Sequence, residues 1–485
     1  MQPFDMTIIG GGPAGVSAAL RARELGANVA LVERANLGGT CTNDGCVPTR
    51  VLAKAARLMR DTEQMAAYGL HADRPTVDFR AVLGRAQQVV YQLQEKKQLL
   101  AHLTEVGVSV FEQVGDASFA DPHTITFGET QRLESDKFVL CVGGSARRLS
   151  FPGGESALTH SDVWALQRLP ASVAIVGCGA TGCQLASIFN AFGSKVTLLD
   201  VAPRLLLTEE ALVSQAIGEQ FRRHDIQIIT GIESITRMDK QGDTRYLHYR
   251  HDEEDRALPA EAVILSVGWP GNISGLNLDA AGVKVNKAYV EVDDTLQTSA
   301  PHIFAAGDIT GKMMLVQAAN DQARIAVENA LLGQQHKAEY RLVPHGGFTD
   351  PEYGSVGLTE EQAQQRGKAA NVICSVVPYA DMDRAVIDGR TPGFCKLVVD
   401  RESRLLLGAH VVGELALEIV HLVAAGMAGG LRIEQLAELE IAYPTFTAVV
   451  GLAARQIVRE LGIVPVVPQW RALHKPRDVE WERRS

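Results

Sequence analysis

The fold of this 485-residue chain is decided by one stretch near its start, Met6-Thr7-Ile8-Ile9-Gly10-Gly11-Gly12-Pro13-Ala14-Gly15. The stretch predicts an apolar strand, a tight glycine-rich turn and the start of an alanine-rich helix that continues over residues 16–25. A second strand is predicted over 28–32, and it ends at Glu33. Glycines in such a turn let the backbone approach a pyrophosphate at the helix N-terminus, and the acid after the second strand accepts hydrogen bonds from ribose hydroxyls. The sequence therefore predicts a dinucleotide-binding unit.

The same unit recurs in the middle of the chain. A predicted strand over 173–176 leads into the turn Gly177-Cys178-Gly179-Ala180-Thr181-Gly182, then a helix to Phe192 and a strand over 195–199 that ends at Asp200. Two dinucleotide sites on one chain indicate one bound flavin and one exchanging nicotinamide nucleotide.

The second site favours NADH over NADPH. Asp200 would bond a free 2′-hydroxyl and repel a 2′-phosphate, and Val201 stands where an arginine would bind that phosphate. Arg204 lies close by in sequence, so NADPH stays open as the alternative.

A pair of cysteines lies between the two units, in the run Gly38-Gly39-Thr40-Cys41-Thr42-Asn43-Asp44-Gly45-Cys46-Val47-Pro48-Thr49-Arg50. Cys41 and Cys46 can close a small ring as a disulfide or open to a dithiol, and the helix predicted after Pro48 would stabilise the Cys46 thiolate. The alternatives are two unreactive cysteines in a glycine-rich loop, or half of a zinc site, which the lack of a second nearby Cys/His pair disfavours. The pair predicts two-electron redox exchange.

Cys178 and Cys183 repeat this spacing inside the second nucleotide turn. Small residues are needed there because helix, strand and pyrophosphate crowd together, so a structural role is favoured over a second redox pair.

Composition limits the classes of partner. Hydrophobic residues make up 46% and charged residues 21% of the chain, as in ordinary globular proteins. A formal net charge of -10 and a pI near 5.8 argue against a nucleic-acid partner. Neither a signal peptide nor a membrane span is visible, so we expect a cytoplasmic protein with no membrane partner.

The rest of the chain divides by pattern. Residues 51–105 predict long helices and 106–150 predict short strands, while Gly307-Asp308 follows a short strand and precedes a helical stretch to Leu332. Alternating strands and helices beyond Pro344, the last of them a helix over 446–461, indicate a separate α+β domain.

Together these motifs resemble the class I FAD-dependent pyridine nucleotide–disulfide oxidoreductases, the family of dihydrolipoamide dehydrogenase, glutathione reductase and mercuric reductase. The resemblance covers about residues 5–462 and includes Phe348-Thr349-Asp350-Pro351-Glu352 and Val356-Gly357-Leu358-Thr359. It implies an α/β fold with two Rossmann-like nucleotide-binding domains, for FAD and NAD, plus an α+β C-terminal dimerisation domain. The implied boundaries are 1–150 with 271–345 for FAD, 151–270 for NAD(P), 346–462 for the interface and 463–485 for a C-terminal extension. It also implies a homodimer whose active sites are completed across the interface.

The resemblance carries roles onto individual residues. For FAD it implies Gly10, Gly12, Pro13, Ala14, Gly15, Glu33, Arg34, Gly39, Thr40, Gly143, Gly307 and Asp308. For NAD it implies Gly177, Gly179, Ala180, Gly182, Asp200 and Gly268. The implied relay runs from NADH to the flavin, then to the disulfide through Cys46, and then from Cys41 to the acceptor.

The sequence departs from the family pattern at the proton-handling positions. Tyr443 replaces the usual histidine base, and Ala448 replaces the glutamate that orients it. A phenol with an unperturbed pKa of about 10 is a poor base at neutral pH, but it can donate a hydrogen bond or help to ligate a soft metal. Arg50 and Gln184 stand where the family places a lysine near the flavin and the glutamate that holds it.

A tyrosine at position 443 resembles mercuric reductase, but no C-terminal cysteine pair follows it. No resident metal is expected, and metal reduction would use Cys41 and Cys46 as transient soft-metal ligands. We therefore expect an NAD(P)H:disulfide oxidoreductase that passes electrons to a disulfide or a soft metal. The alternatives are a dihydrolipoamide dehydrogenase-like enzyme with modified proton handling, a flavin NADH oxidase or quinone reductase, and a non-catalytic nucleotide-binding protein.

Overall fold

The structure is a computed structural model that describes residues 3–367 and 369–463. The predicted extension over 463–485 therefore lies, except for its first residue, outside the described residues. Contacts group the chain into two compact units. The first comprises the chain up to Leu205 together with His224–Tyr340, and the second comprises Leu206–Arg223 together with the chain from Arg341 onward.

Strands and helices alternate around the two nucleotide turns, and runs of consecutive helices or strands make up much of the remaining chain. The strands are β1 Phe4–Ile9, β2 Val29–Val32, β3 Ser109–Phe111, β4 Ser118–Asp121, β5 Thr124–Phe127, β6 Gln131–Leu140, β7 Leu158–Thr159, β8 Ser172–Val176, β9 Lys195–Asp200, β10 Gln227–Thr230, β11 Ser234–Gln241, β12 Thr244–His251, β13 Glu254–Ala260, β14 Ala262–Leu265, β15 Val285–Asn286, β16 Tyr289–Val290, β17 Ile303–Ala305, β18 His345–Gly347, β19 Tyr353–Gly357, β20 Val372–Pro378, β21 Phe394–Asp400 and β22 Leu406–Val412. The helices are α1 Pro13–Glu24, α2 Gly39–Asn43, α3 Cys46–Thr62, α4 Phe79–Lys97, α5 Leu99–Glu105, α6 Ala180–Phe192, α7 Ala211–Arg223, α8 Val316–Leu332, α9 Glu360–Arg366, α10 Asp383–Ile387, α11 Ala416–Ala428, α12 Ile433–Glu438 and α13 Ala448–Glu460.

The first sheet has the strand order β3-β2-β1-β6-β5-β4, and β17 also pairs with β6. The first half of β6 pairs antiparallel with β5, and its second half pairs parallel with β1 and β17. Strand β2 and the last four residues of β1 are buried, and α1 packs against both strands and against α8. The carboxyl ends of β1, β2, β6 and β17 therefore lie at one edge, where ligands bind in doubly wound sheets.

The second nucleotide unit repeats this arrangement. Its sheet has the order β10-β9-β8-β14-β7, and the pairs β10·β9, β9·β8, β8·β14 and β14·β7 are all parallel. A smaller antiparallel sheet, β11-β12-β13, follows β10. The predicted strand–turn–helix–strand pattern is present in both units.

Local signals in the sequence set the starts of several helices. Pro13 occupies the first turn of α1, where its missing N–H costs nothing, so the helix begins within the predicted stretch that ends at Gly15. Asp78 caps α4 by accepting a hydrogen bond from the Ala81 N–H at 3.0 Å. The last helix, α13, begins at Ala448 rather than at the predicted Phe446.

The second compact unit is built on an antiparallel sheet of order β18-β19-β22-β21-β20. Two acids that directly precede α7 bind this sheet. The ammonium of Lys396 on β21 lies 2.8 Å from a Glu210 oxygen and 2.6 Å from a Glu360 oxygen, and its side chain is only 4% exposed. Glu209 accepts a hydrogen bond from the Ser355 hydroxyl at 2.7 Å. The fold class is the predicted one, but residues 206–223 group with the C-terminal sheet instead of with the remainder of 151–270.

Candidate functional site

The first nucleotide turn leaves an open backbone cradle. Gly10 has a φ of +104°, and a Cβ on Gly15 would come within 1.7 Å of the Gly10 carbonyl oxygen. Gly39 approaches from the other side, since a Cβ there would lie 2.7 Å from the Gly12 Cα. Side chains at Gly10 and Gly15 would overlap the backbone of Cys141 and Gly10, so glycine lets the turn pack tightly against the start of α1, whose N–H groups favour an anion. The cradle therefore fits a dinucleotide pyrophosphate.

Glu33 lies beside this cradle in a fixed orientation. One carboxylate oxygen accepts the Gly11 N–H at 2.6 Å, and the other accepts the Ala35 N–H at 2.8 Å. These bonds aim a buried acid at the turn, as required for binding a ribose hydroxyl. Arg34, by contrast, is exposed and lies 3.6 Å from Asp116.

The second turn has nearly the same geometry. Gly177 also has a φ of +104°, and a Cβ on Gly182 would lie 1.9 Å from the Gly177 oxygen. Asp200 accepts the Cys178 N–H at 2.5 Å and the Ala202 N–H at 2.9 Å. Glu33 after β2 and Asp200 at the end of β9 are thus each held by two backbone N–H groups. Each turn therefore combines a fixed acid with a helix N-terminus, the combination that binds a dinucleotide.

Cys178 and Cys183 are buried in this turn, and the Cys183 thiol donates to the Cys178 carbonyl at 3.3 Å. Burial raises the pKa of both thiols, which makes them unreactive. Their environment agrees with the structural role inferred from the sequence.

Asp308 follows β17 and faces the edge of the first sheet. Burial raises the pKa of its carboxyl group, and the indole N–H of Trp269 donates to it at 3.0 Å. The preceding Gly307 N–H donates to the Gln322 side chain at 2.7 Å. A carboxyl group held in this orientation can accept hydrogen bonds from a ligand chain that carries several hydroxyl groups. Trp269 was not anticipated, because its only sequence signal is its position just after Gly268.

The two cysteines meet at the start of α3. Cys41 lies in the short helix α2, Cys46 is the first residue of α3, and their thiols hydrogen-bond to each other. That bond and the backbone N–H of Cys46 lower the pKa of Cys46 to about 7. Desolvation by the surrounding protein and the charge of Asp308 act in the opposite direction and raise this pKa. The pKa of Cys41 is raised, first by the bond to Cys46 and then by burial. Cys46 is therefore the thiolate of the pair.

Lys97, at the end of α4, is a second residue that sequence reasoning missed. Its ammonium donates to the Thr42 hydroxyl at 3.1 Å, and its charge partly offsets the increase in the pKa of Cys41. Only the tertiary packing of α4 against α2 reveals this proximity.

Arg50 and Gln184 lie on two helices that pack together, α3 and α6. Arg50 follows Cys46 by one helical turn and so lies on the same face of α3. The Gln184 amide donates to the Ala180 carbonyl at 3.0 Å. The two residues of the predicted pair thus lie on packed helices of the first unit.

The remaining predicted residues lie at turns near the sheet edges. Gly143, with a φ of +66°, follows β6, and Gly268, with a φ of +127°, follows β14. Gly12, Pro13 and Ala14 form the start of α1, and Gly179 and Ala180 form the start of α6. Thr40 lies in α2 beside Cys41.

Tyr443 belongs to the second compact unit, in the segment between α12 and α13. It is 74% exposed, and its hydroxyl donates to the Asp383 carboxylate at 2.6 Å. This bond raises the pKa of the phenol. Ala448, at the predicted glutamate position, is the first residue of α13 and provides no carboxylate.

Known families match almost the whole chain. Residues 4–323 match the pyridine nucleotide-disulphide oxidoreductase family, and residues 343–454 match the dimerisation domain of these enzymes. The chain belongs to this family. The reductase is accordingly an FAD-dependent enzyme that uses NAD(P)H, and the second match supports a homodimer.

Relatives of the reductase divide between two activities. It is 32% identical to the mercuric reductase of Staphylococcus aureus over 454 residues, which is 93% of this chain and 82% of the relative. It is also 32% identical to the dihydrolipoyl dehydrogenase of Bacillus subtilis over 468 residues, covering 93% of this chain and 97% of the relative. A Cu(II) complex of RclA, an HOCl-induced flavoprotein disulfide reductase from Escherichia coli, aligns with a TM-score of 0.83 at 27% identity, covering 94% of this chain and all of that one. These relatives support flavoprotein disulfide oxidoreductase activity without fixing the acceptor.

The described part of the reductase contains neither a membrane-spanning helix nor a cluster of metal-binding side chains. Among residues 3–367 and 369–463, no helix is long and apolar enough to cross a membrane. The same residues contain no group of three or more His, Cys, Asp or Glu side chains that could hold a metal ion.

Proposed function

We propose that the reductase passes electrons from NADH, through FAD and the Cys41–Cys46 pair, to a thiophilic acceptor, with a soft-metal ion favoured over a disulfide. The observation that carries the proposal is the thiol pair at the start of α3, in which Cys46 has a pKa of about 7. A thiolate at neutral pH is the form of cysteine that exchanges with disulfides and ligates soft metals.

The residues of the chain have separable roles in this proposal. The cradle around Gly10, Gly15 and Gly39 binds FAD, which supplies two-electron transfer between the nicotinamide and the cysteines. Reduction of the disulfide takes up two electrons and two protons and gives the dithiol. The Cys41 bond to Cys46 keeps one of these protons on Cys41, and the ammonium of Lys97 favours its later release to form the attacking or ligating thiolate.

The proton-handling side chains favour a metal ion over a dithiol substrate. Oxidation of a dithiol such as dihydrolipoamide needs a base, and Tyr443 is a phenol whose pKa is raised further by Asp383. A soft-metal ion arrives without protons to remove. The mercuric reductase relatives and the copper complex of the structural relative support this choice.

The fixed carboxylate of Asp200 supports NADH as the donor. Its two oxygens accept hydrogen bonds from the backbone N–H groups of Cys178 and Ala202. These bonds keep the carboxylate from rotating, so it would repel the phosphate group at the 2′ position of NADPH. We expect kcat/KM for NADH to exceed that for NADPH, and the Asp200→Ser variant to narrow the difference.

An acceptor screen tests the proposal. NADH oxidation would be followed anaerobically with Hg²⁺, Cu²⁺, a small disulfide, lipoamide and a quinone, in the wild type, Cys41→Ser, Cys46→Ser and the control Cys374→Ser. We expect turnover with Hg²⁺ to be lost in both redox-pair variants and kept in the control. Quinone turnover that survives in Cys41→Ser, without metal or disulfide turnover in the wild type, would instead establish a quinone reductase.

Restoring the missing base gives an independent test. The double variant Tyr443→His/Ala448→Glu supplies the family's histidine and glutamate, so the oxidation of dihydrolipoamide by NAD⁺ should rise by about 10²-fold, the usual effect of a general base. Wild-type oxidation of dihydrolipoamide already at the level of the double variant would favour the dihydrolipoamide dehydrogenase alternative.

A further inference from the structure

The Tyr443 phenol is held by a carboxylate from a distant part of the second unit. Its hydroxyl donates to an Asp383 oxygen at 2.6 Å, across a sequence separation of 60 residues. This distance is typical of a charge-assisted O–H···O⁻ bond, which is stronger than a bond between neutral groups. The phenol proton therefore points at Asp383, although the Tyr443 side chain is largely exposed.

One neighbouring residue, Arg384, adds two contacts beside this bond. Arg384, next to Asp383, donates to the Pro444 carbonyl at 3.5 Å, and its guanidinium lies 5.5 Å from the centre of the Phe446 ring. Phe446 is only 3% exposed and anchors the segment that carries Tyr443. The Asp383–Tyr443 bond and the two contacts of Arg384 thus join α10 to this segment, which indicates a positioned pair rather than a chance surface contact.

The direction of the bond determines what the phenol can offer. A hydroxyl has one proton and two lone pairs. With the proton directed at Asp383, the exposed part of the oxygen offers lone pairs, so Tyr443 acts outward as an acceptor or ligand and not as a donor. Sequence reasoning left both roles open.

We propose that Asp383 is the positioning residue of Tyr443, which it holds neutral with its lone pairs facing outward, in place of the glutamate that is absent at position 448. The inference rests on the proposed function, because it takes Tyr443 to contact the acceptor. A lone-pair surface attracts a cation or a thiol proton and repels a thiolate, so it fits a soft-metal ion. No electron or proton is transferred in this positioning role.

A spectroscopic experiment tests the bond without relying on turnover. The holoenzyme would be labelled with [¹³Cζ]tyrosine, and the Tyr443 resonance assigned with Tyr443→Phe. Removing the negative charge in Asp383→Asn should move the phenol ionisation to lower pH, and Asp383→Glu should restore it. Asp388→Asn is the matched control, since Asp388 directly follows α10 and binds Arg384 at 2.7 Å. Arg384 on α10 and Asp388 just after it are the charged groups that follow Asp383 in this segment.

Kinetics with Hg²⁺ as the probe form the second arm. Asp383→Asn should raise KM for Hg²⁺ at least threefold, with a smaller change in kcat, and Asp383→Glu should recover most of the loss. An unchanged Tyr443 ionisation in Asp383→Asn, or an equal shift in Asp388→Asn, would overturn the inference. If no variant reduces Hg²⁺, the proposed acceptor fails, while the resonance still decides whether Asp383 positions the phenol.

Discussion

The low pKa of Cys46 predicts how the site responds when its partner thiol is changed. The bond from Cys41 is the largest influence lowering the pKa of Cys46, whereas desolvation by the surrounding protein and the nearby Asp308 raise it. The Cys41→Ala variant removes the donor and leaves the opposing influences. The Cys41→Ser variant keeps a donor, since a hydroxyl can also hydrogen-bond to a thiolate.

The magnitude follows from the ionisation equilibrium. With a pKa of about 7, Cys46 is about half thiolate at pH 7, and ionisation rises through that pH. A cysteine with the usual pKa of about 8.5 is only about 3% thiolate at pH 7. Cys41→Ala should therefore reduce the thiolate population at pH 7 by at least about tenfold, while Cys41→Ser should retain most of it.

Thiolate absorbance at 240 nm, measured against pH in the fully reduced protein, is the assay. Subtraction of the Cys46→Ser curve isolates Cys46, and Cys374→Ser is the control because the pKa of Cys374 is raised to about 12. We expect midpoints near pH 7 in the wild type and Cys41→Ser, and above pH 8 in Cys41→Ala. Equal midpoints in the alanine and serine variants would refute the argument that the hydrogen bond lowers the pKa.

Two further predictions concern the cradles and the buried ion pair. Gly15→Ala should abolish FAD retention, because its Cβ would overlap the Gly10 carbonyl. The matched Gly182→Ala should keep FAD but lose NADH binding, and loss of FAD from both variants would contradict separate sites. Lys396→Met should lower the free energy of unfolding by about 3–5 kcal/mol, because it leaves the Glu210 carboxylate buried without its cation. Urea denaturation measures this loss, and Lys396→Met/Glu210→Gln should recover part of it. A double variant as unstable as the single one would show that the charge is not the cause.

Much of the nucleotide-binding geometry was predictable because it is local. Gly10, Gly15, Gly177 and Gly182 are required by backbone conformation or close approach within a few residues, so the pattern of glycines specifies each turn. The acids at the ends of β2 and β9 follow from the regular length of a strand–helix–strand unit.

The rest of the site depends on contacts between segments that are distant in sequence. Lys97 reaches Thr42 across 55 residues, and Asp383 reaches Tyr443 across 60. No local periodicity relates the members of these pairs, and a single charged residue at a helix end is ordinarily a solvated one. Their roles can be inferred only once the helices have been packed.

The helix α7 has a practical consequence for dividing the protein into parts. It lies in sequence between β9 and β10, which are neighbours in the nucleotide-binding sheet, yet it groups with the C-terminal unit. Its apolar residues Val213, Ile217 and Phe221 are at most 1% exposed. A chain truncated at residue 340 would leave the buried Glu210 without Lys396, and Glu209 without the Ser355 hydroxyl. The nucleotide-binding half expressed alone should therefore be less stable than the same half in which residues 206–223 are replaced by a short polar linker.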